Sequence, residues 1–156
     1  MLTCIPQSLF SWDFRVAGAS SGPAALTFDF LTEQGSVSLG GIECSVRKHG
    51  LLSGHWTLER DGVPCADAQK PNAVFRSFEV RSGATLLTLS AHSAFTRCYD
   101  MIANGSVVGT IRPVHPFTRR ASIECGPSVP ELVQLFSFWL AVLTWRRAAR
   151  NSSDAS

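Results

Sequence analysis

The chain has 156 residues, of which 45% are hydrophobic and 17% charged, with a formal net charge of +2. That length suits one domain with a core that needs no staples. The composition excludes a largely disordered chain, and so small a charge excludes a protein that coats nucleic acid, while leaving room for a local basic patch.

Cys4, Cys44, Cys65, Cys98 and Cys125 are widely spaced and contain no C-x-x-C pair. They fit neither a disulfide framework nor a zinc site, and are expected as free, mostly buried thiols in a reducing cytosol. Met1 to Phe10 lacks a basic segment followed by an apolar core, so no secretory signal is expected there. A cytoplasmic protein, peripheral at a membrane at most, is the expectation.

In chain order, Gly18 to Ala24 has loop composition, and Leu26 to Leu31 alternates apolar and polar positions before a break at Gln34-Gly35. Ile42 to Val46 follows Gly40-Gly41, and Trp56 to Glu59 precedes Asp61-Gly62, a pair suited to a type I′ hairpin because both residues tolerate positive φ. Val74 to Val80 and Thr85 to Ser90 flank Ser82-Gly83, and Phe95 to Ile102 and Ser106 to Arg112 flank Asn104-Gly105. Short strands at regular spacing favour a barrel or a sandwich.

The C-terminal segment reads differently. Ser128-Val129-Pro130-Glu131 has the spacing of a capping box, with Ser128 as N-cap and Glu131 at N3. Leu132 to Trp145 follows as a helix that is large and apolar around most of its circumference, with Gln134, Ser137, Ala141 and Thr144 forming one narrow small or polar stripe. Such a helix is buried, in protein or in lipid. Its 14 residues span roughly 21 Å, short of the roughly 30 Å of a bilayer core. Arg146, Arg147 and Arg150 close it with cations suited to the negative end of the dipole. Burial inside a closed barrel covers all sides of the helix; an open sheet covers one. One domain over residues 1–150 is expected, with the central helix over 129–149 and a disordered tail over 151–156.

Lys70-Pro71, the run from Val74 to Phe78, Val108 to Pro113, Phe117 to Ala121 and the run from Val133 through Trp139-Leu140 to Arg147 resemble, in that order, a bacterial group of uncharacterised proteins. That group is similar to the superfamily of the tubby C-terminal domain, the plant LURP-one-related proteins and the phospholipid scramblases. The resemblance covers roughly residues 9 to 149. It implies a mainly β fold, a closed antiparallel barrel of about twelve strands around a hydrophobic C-terminal helix. It also implies an inclination toward lipid headgroups, since tubby-like domains bind phosphoinositides. Neither the headgroup residues of those domains nor the acylation and calcium segments of the scramblases match positions here.

Chemistry-bearing motifs are sparse. No G-x-S-x-G, P-loop or H-E-x-x-H occurs, and His49, His55, His92 and His115 have no metal-ligand spacing. No catalytic residue, metal or cofactor is expected. Arg112, Arg119 and Arg120 lie close together around a proline-flanked turn, where their guanidinium groups would converge on a phosphate or carboxylate if the chain folds back. Lys70, Arg76 and Arg97 are further contributors. In the competing arrangement these arginines solvate the exterior and pair with Glu79, Asp100 and Glu124. Aromatics among bases also suit single-stranded nucleic acid, but in this fold Phe75, Phe78, Phe95 and Tyr99 are expected on the central helix, and no nucleic-acid partner is expected. The expectation is a non-enzymatic binding module for an anionic phospholipid headgroup or similar anion on the barrel wall. The alternative is a scaffold that meets another protein through loops or the Arg146–Ser156 tail.

Overall fold

The computed structural model describes residues 1–73 and 76–156. Twelve strands run in chain order: β1 (Leu2–Pro6), β2 (Phe14–Ala17), β3 (Ala24–Asp29), β4 (Gln34–Leu39), β5 (Ile42–His49) and β6 (His55–Arg60), then β7 (Val63–Gln69), β8 (Ser77–Ser82), β9 (Thr85–Ala91), β10 (Tyr99–Ala103), β11 (Ser106–Pro113) and β12 (Ala121–Cys125). Each pairs antiparallel with its neighbours in sequence, and β1 pairs with β12 to close the barrel. Helix α1 (Glu131–Asp154) follows, buried from Val133 to Trp145.

Period-2 alternation decides what faces the helix. Most strands give two inward side chains, such as Phe14 and Val16 on β2, Leu87 and Leu89 on β9, and Tyr99 and Met101 on β10, all buried. The intervening residues face outward and are mostly polar; Glu43, Ser45 and Arg47 on β5 are exposed. A barrel that spans a membrane would need an apolar band there. Among the described residues no helix is long and apolar enough to cross a membrane. Phe138 packs edge-on against Phe14 at 5.1 Å, and Trp139 stacks on Phe28 at 4.8 Å.

Asp61-Gly62 and Asn104-Gly105 are two-residue hairpins with positive φ at both positions, as their composition requires. Gln34-Gly35 is not a break but the start of β4; the turn lies before it, where Glu33 takes φ 54°. Gly35 is needed for close approach instead: a Cβ there would collide with the Thr27 carbonyl and crowd the Trp139 indole. That indole donates to the Thr27 carbonyl at 3.0 Å, anchoring the helix to the wall.

Several expectations about the helix and β10 are corrected. Pro130, not Ser128, is the N-cap, and no side chain caps the helix. The Glu131 carboxylate turns away from its own helix to accept from the Ser20 amide (2.7 Å), the Ser20 hydroxyl (2.8 Å) and the Ser21 amide (3.2 Å). The helix continues to Asp154 rather than ending at 149, so most of the expected tail is helical. Gln134 donates to the Val129 carbonyl just before the helix, at 2.9 Å. In the polar stripe, Thr144 meets the Tyr99 hydroxyl, and among the described residues the Ser137 hydroxyl has no hydrogen-bond partner. Strand β10 begins only at Tyr99, so Phe95 is exposed in the preceding loop instead of packing on the helix, whereas Phe78 and Tyr99 are buried. Phe75 and Val74 lie outside the described residues.

Candidate anion site at the loop end of the barrel

Antiparallel order sends alternate connections to opposite ends. The connections 7–13, 30–33, 50–54, 70–76, 92–98 and 114–120 all lie where the C-terminal half of α1 leaves the barrel. Of the six bases singled out from the sequence, Lys70, Arg76, Arg97, Arg119 and Arg120 lie in the connections of this end, and Arg112 lies one residue before the end of β11 beside them.

The loop 114–120 does fold back, with the Val114 amide donating to the Arg120 carbonyl at 2.9 Å. Its arginines nevertheless serve different partners. Arg112 bonds the Asp100 carboxylate at 3.0 Å and the Tyr99 carbonyl at 3.1 Å. Arg119 donates to the carbonyls of Ser8, Leu9 and Ser11 and lies 4.7 Å from the Trp12 ring centre. Arg97 donates to the carbonyls of Thr118, His115 and Pro116. Arg97 and Arg119 therefore tie three adjacent loops together, and their guanidinium groups are largely committed to carbonyls. The Arg120 side chain is exposed and, among the described residues, its guanidinium makes no hydrogen bond. Arg112 does pair with Asp100, but among the described residues neither Glu79 nor Glu124 forms an ion pair.

A second cluster lies across the rim. A cavity of about 260 Å³ is lined by Lys48, Lys70 and Arg147 together with the loop from Leu51 to Gly54 and Ala73. Glu33 is the carboxylate that serves it, bonded to Lys48 Nζ at 2.6 Å and to Arg147 Nε and Nη2 at 2.6 and 2.9 Å. Burial raises the Glu33 carboxyl, but the hydrogen bonds and charges of Arg147 and Lys48 outweigh it and hold the group down to about 2. Glu33 sits at positive φ, its carbonyl fixed by the Trp56 indole at 3.1 Å. The Lys70 amide donates to the Gly54 carbonyl at 2.7 Å, while its ammonium has the Ala73 carbonyl at 3.3 Å. Burial depresses the Lys70 pKa, and the like charges of Arg147 and Arg76 push it further down against the smaller pull of Glu33. Arg76 itself donates to the Thr96 carbonyl at 3.3 Å.

Of the residues chosen from sequence, the fold thus brings Lys70 and Arg76 into one electrostatic cluster. It adds Lys48 and Arg147, which sequence alone did not single out as anion ligands. Arg147 had an adequate role as a helix-terminal cation, and nothing local to Lys48 distinguishes it. Their meeting depends on strand pairing and on where the helix emerges. Among the described residues no group of three or more His, Cys, Asp or Glu could hold a metal ion. The cluster can bind and neutralise an anion through several N–H donors. No protein-family model, curated protein or solved structure matches this chain.

Proposed function

We propose that the protein is a non-enzymatic binding module that holds an anionic, phosphate-bearing lipid headgroup at the rim of its loop end. One observation carries this reading: Lys48, Lys70 and Arg147 line one cavity, with the charge of Arg76 felt at Lys70, against the carboxylate of Glu33 that Lys48 and Arg147 share. A phosphate group carrying a charge of about −1.5 to −2 would offset most of that excess. The ordered motifs that resemble the tubby, LURP-one-related and scramblase superfamily support the same reading from a different direction, and membership of that superfamily is part of the proposal.

Vesicle flotation tests it. Wild-type protein is expected to float with phosphatidylcholine vesicles containing phosphatidic acid and much less with phosphatidylcholine alone. Near an anionic surface each Lys or Arg is worth about 1 kcal/mol, so Lys70→Glu should weaken binding about thirtyfold. Arg81→Glu, the same charge change on exposed β8, should weaken it far less. Equal effects of the two substitutions, or no flotation of the wild type, would remove the site.

A further inference from the structure

The loop end carries a second feature that the anion cavity does not use. Among the described residues, seven large apolar side chains there are at least 84% exposed: Leu9, Phe10, Leu31, Leu51, Leu52, Phe95 and Phe117. Among the described residues no large apolar side chain at the opposite end exceeds 76%, and the most exposed of those is Met1. Isolated exposed apolar residues are ordinary. Among the described residues, the connections 7–13, 30–33, 50–54, 92–98 and 114–120 each present one or two of them, which is a pattern and calls for an occupant.

We propose that these loop tips insert into the interfacial layer of an anionic bilayer, so that the barrel docks by its rim. The choice of an anionic surface rests on the headgroup reading above; the insertion itself does not. Charge selects the occupant. Eleven of the fourteen Lys and Arg, but only five of the twelve Asp and Glu, fall in the loops of this end, in the two strand residues on either side of each, or in the helix beyond Trp145. A second copy of this chain would bring like charge against like. A soluble protein partner needs a contiguous packed patch with few charges at its centre. Here the apolar tips stand on separate loops with cations between them, an arrangement that a fluid bilayer accepts without shape matching. Basic groups beside short apolar insertions are also what anionic interfaces favour.

The geometry narrows the orientation. Strands β9 to β12, β1 and β2 are consecutive around the barrel, so the loops 92–98, 114–120 and 7–13 are neighbours on the rim. Arg97 joins the first two and Arg119 the last two through the carbonyl bonds described above. Leu9, Phe10, Phe95 and Phe117 therefore stand on a pre-tied platform, which loses little freedom on docking. The helix leaves at the same end with a polar terminus, Asn151 to Asp154. That terminus fits the headgroup region and not the hydrocarbon, so the barrel axis must tilt to bring the three-loop platform down.

The test uses the full-length chain with a photoreactive p-benzoylphenylalanine at position 117, or at position 107 on β11 near the other end, on vesicles containing phosphatidic acid. A companion variant replaces Leu9, Phe10, Phe95 and Phe117 together with Ser. Lipid-chain crosslinks are expected from position 117 and not from position 107. Flotation in 0.5 M salt should fall at least tenfold in the fourfold variant, with its thermal melt unchanged. Absence of lipid crosslinks at 117, equal crosslinking at 107, or undiminished flotation of a folded fourfold variant would overturn the insertion. So would crosslinking to a second copy or to an added protein in place of lipid. If Lys70→Glu abolishes binding while position 117 never touches acyl chains, the headgroup reading stands and insertion falls. If position 117 crosslinks on phosphatidylcholine alone and Lys70→Glu changes nothing, insertion stands and the headgroup reading falls.

Discussion

At one end of the barrel, four of the six connections have two residues: 40–41, 61–62, 83–84 and 104–105. Their positive φ values come from glycine, or from Asp61 and Asn104, and match the twist of the strands they join. At the same end the contact of Glu131 with Ser20 and Ser21 locks the helix entrance to the loop between β2 and β3. At the other end the connections have four to seven residues, held by arginine-to-carbonyl bonds across more than a hundred residues of sequence in the case of Arg119. They expose most of the chain's fully solvated apolar side chains and most of its cations. The tight end uses its residues to close the barrel. The loop end leaves apolar and cationic side chains in solvent, groups that closing the barrel does not require.

The largest effect expected is on what both ends share, the central helix. Removing everything after Pro130 takes away the buried run from Val133 to Trp145. Each fully buried large apolar side chain contributes roughly 1.5–3 kcal/mol, against a net domain stability of about 5–15 kcal/mol. The truncated chain should be insoluble or molten, without a cooperative melt by circular dichroism. A soluble fragment with a sharp transition would mean that the two ends are joined by the strands alone.

Trp139→Ala should be the next largest, about 3–5 kcal/mol from the cavity it leaves. It also strips the Thr27 carbonyl of the indole donor and empties the space over Gly35. Denaturant melts would measure it; a loss below about 1 kcal/mol would show that the helix is not anchored to β3 in this way.

The helix was legible because its length and circumference depend only on neighbouring residues. The same holds for the Asp61-Gly62 and Asn104-Gly105 hairpins, which need nothing beyond their own φ preferences. What local pattern failed to show was set by closure. Glu131 fits a capping box in sequence, yet three donors from Ser20 and Ser21 capture it. Phe95 alternates correctly with Tyr99, but the chain turns between them, with the His92 amide bonded to the Cys98 carbonyl, so alternation does not carry across. Arg119 and Arg97 were legible as basic and not as loop ties, because their acceptors are backbone carbonyls that any sequence supplies. The cavity cluster of Lys48, Lys70 and Arg147 likewise required the three-dimensional fold to assemble it.

Acid should loosen both ends together. Hydrogen bonds from the Ser20 amide and hydroxyl and from Ser21, outweighing burial, hold the Glu131 carboxyl down to about 2, and Arg147 and Lys48 do the same for Glu33. A carboxyl whose folded pKa is depressed contributes stability that is present above its ordinary value of 4.5 and is lost as pH falls toward 2. Melting temperature should therefore decline across that window. Glu131→Gln and Glu33→Gln should each flatten the decline, the first by releasing the helix entrance and the second by releasing its exit. An unchanged pH slope in both variants would mean that neither carboxylate closes its end.

The smallest expected effects separate the ends most sharply. Gly105 takes φ 75° with nothing near the position of a Cβ, so Gly105→Ala adds no collision and its whole cost is backbone strain. A side chain where φ is positive costs about 1 kcal/mol, and that loss should appear in a denaturant midpoint with an unchanged slope. Leu51→Ser with Leu52→Ser removes far more apolar surface, yet both side chains are almost wholly solvated on the loop 50–54. Exposed substitutions of that kind stay within about 0.5 kcal/mol of neutral. The double variant should thus match the wild type in stability and exceed it in solubility, while one added methyl at the tight end is felt. If instead the leucines prove costly and Gly105→Ala is silent, then the loops are structural, and the exposed tips would have to be packing against something within the folded chain.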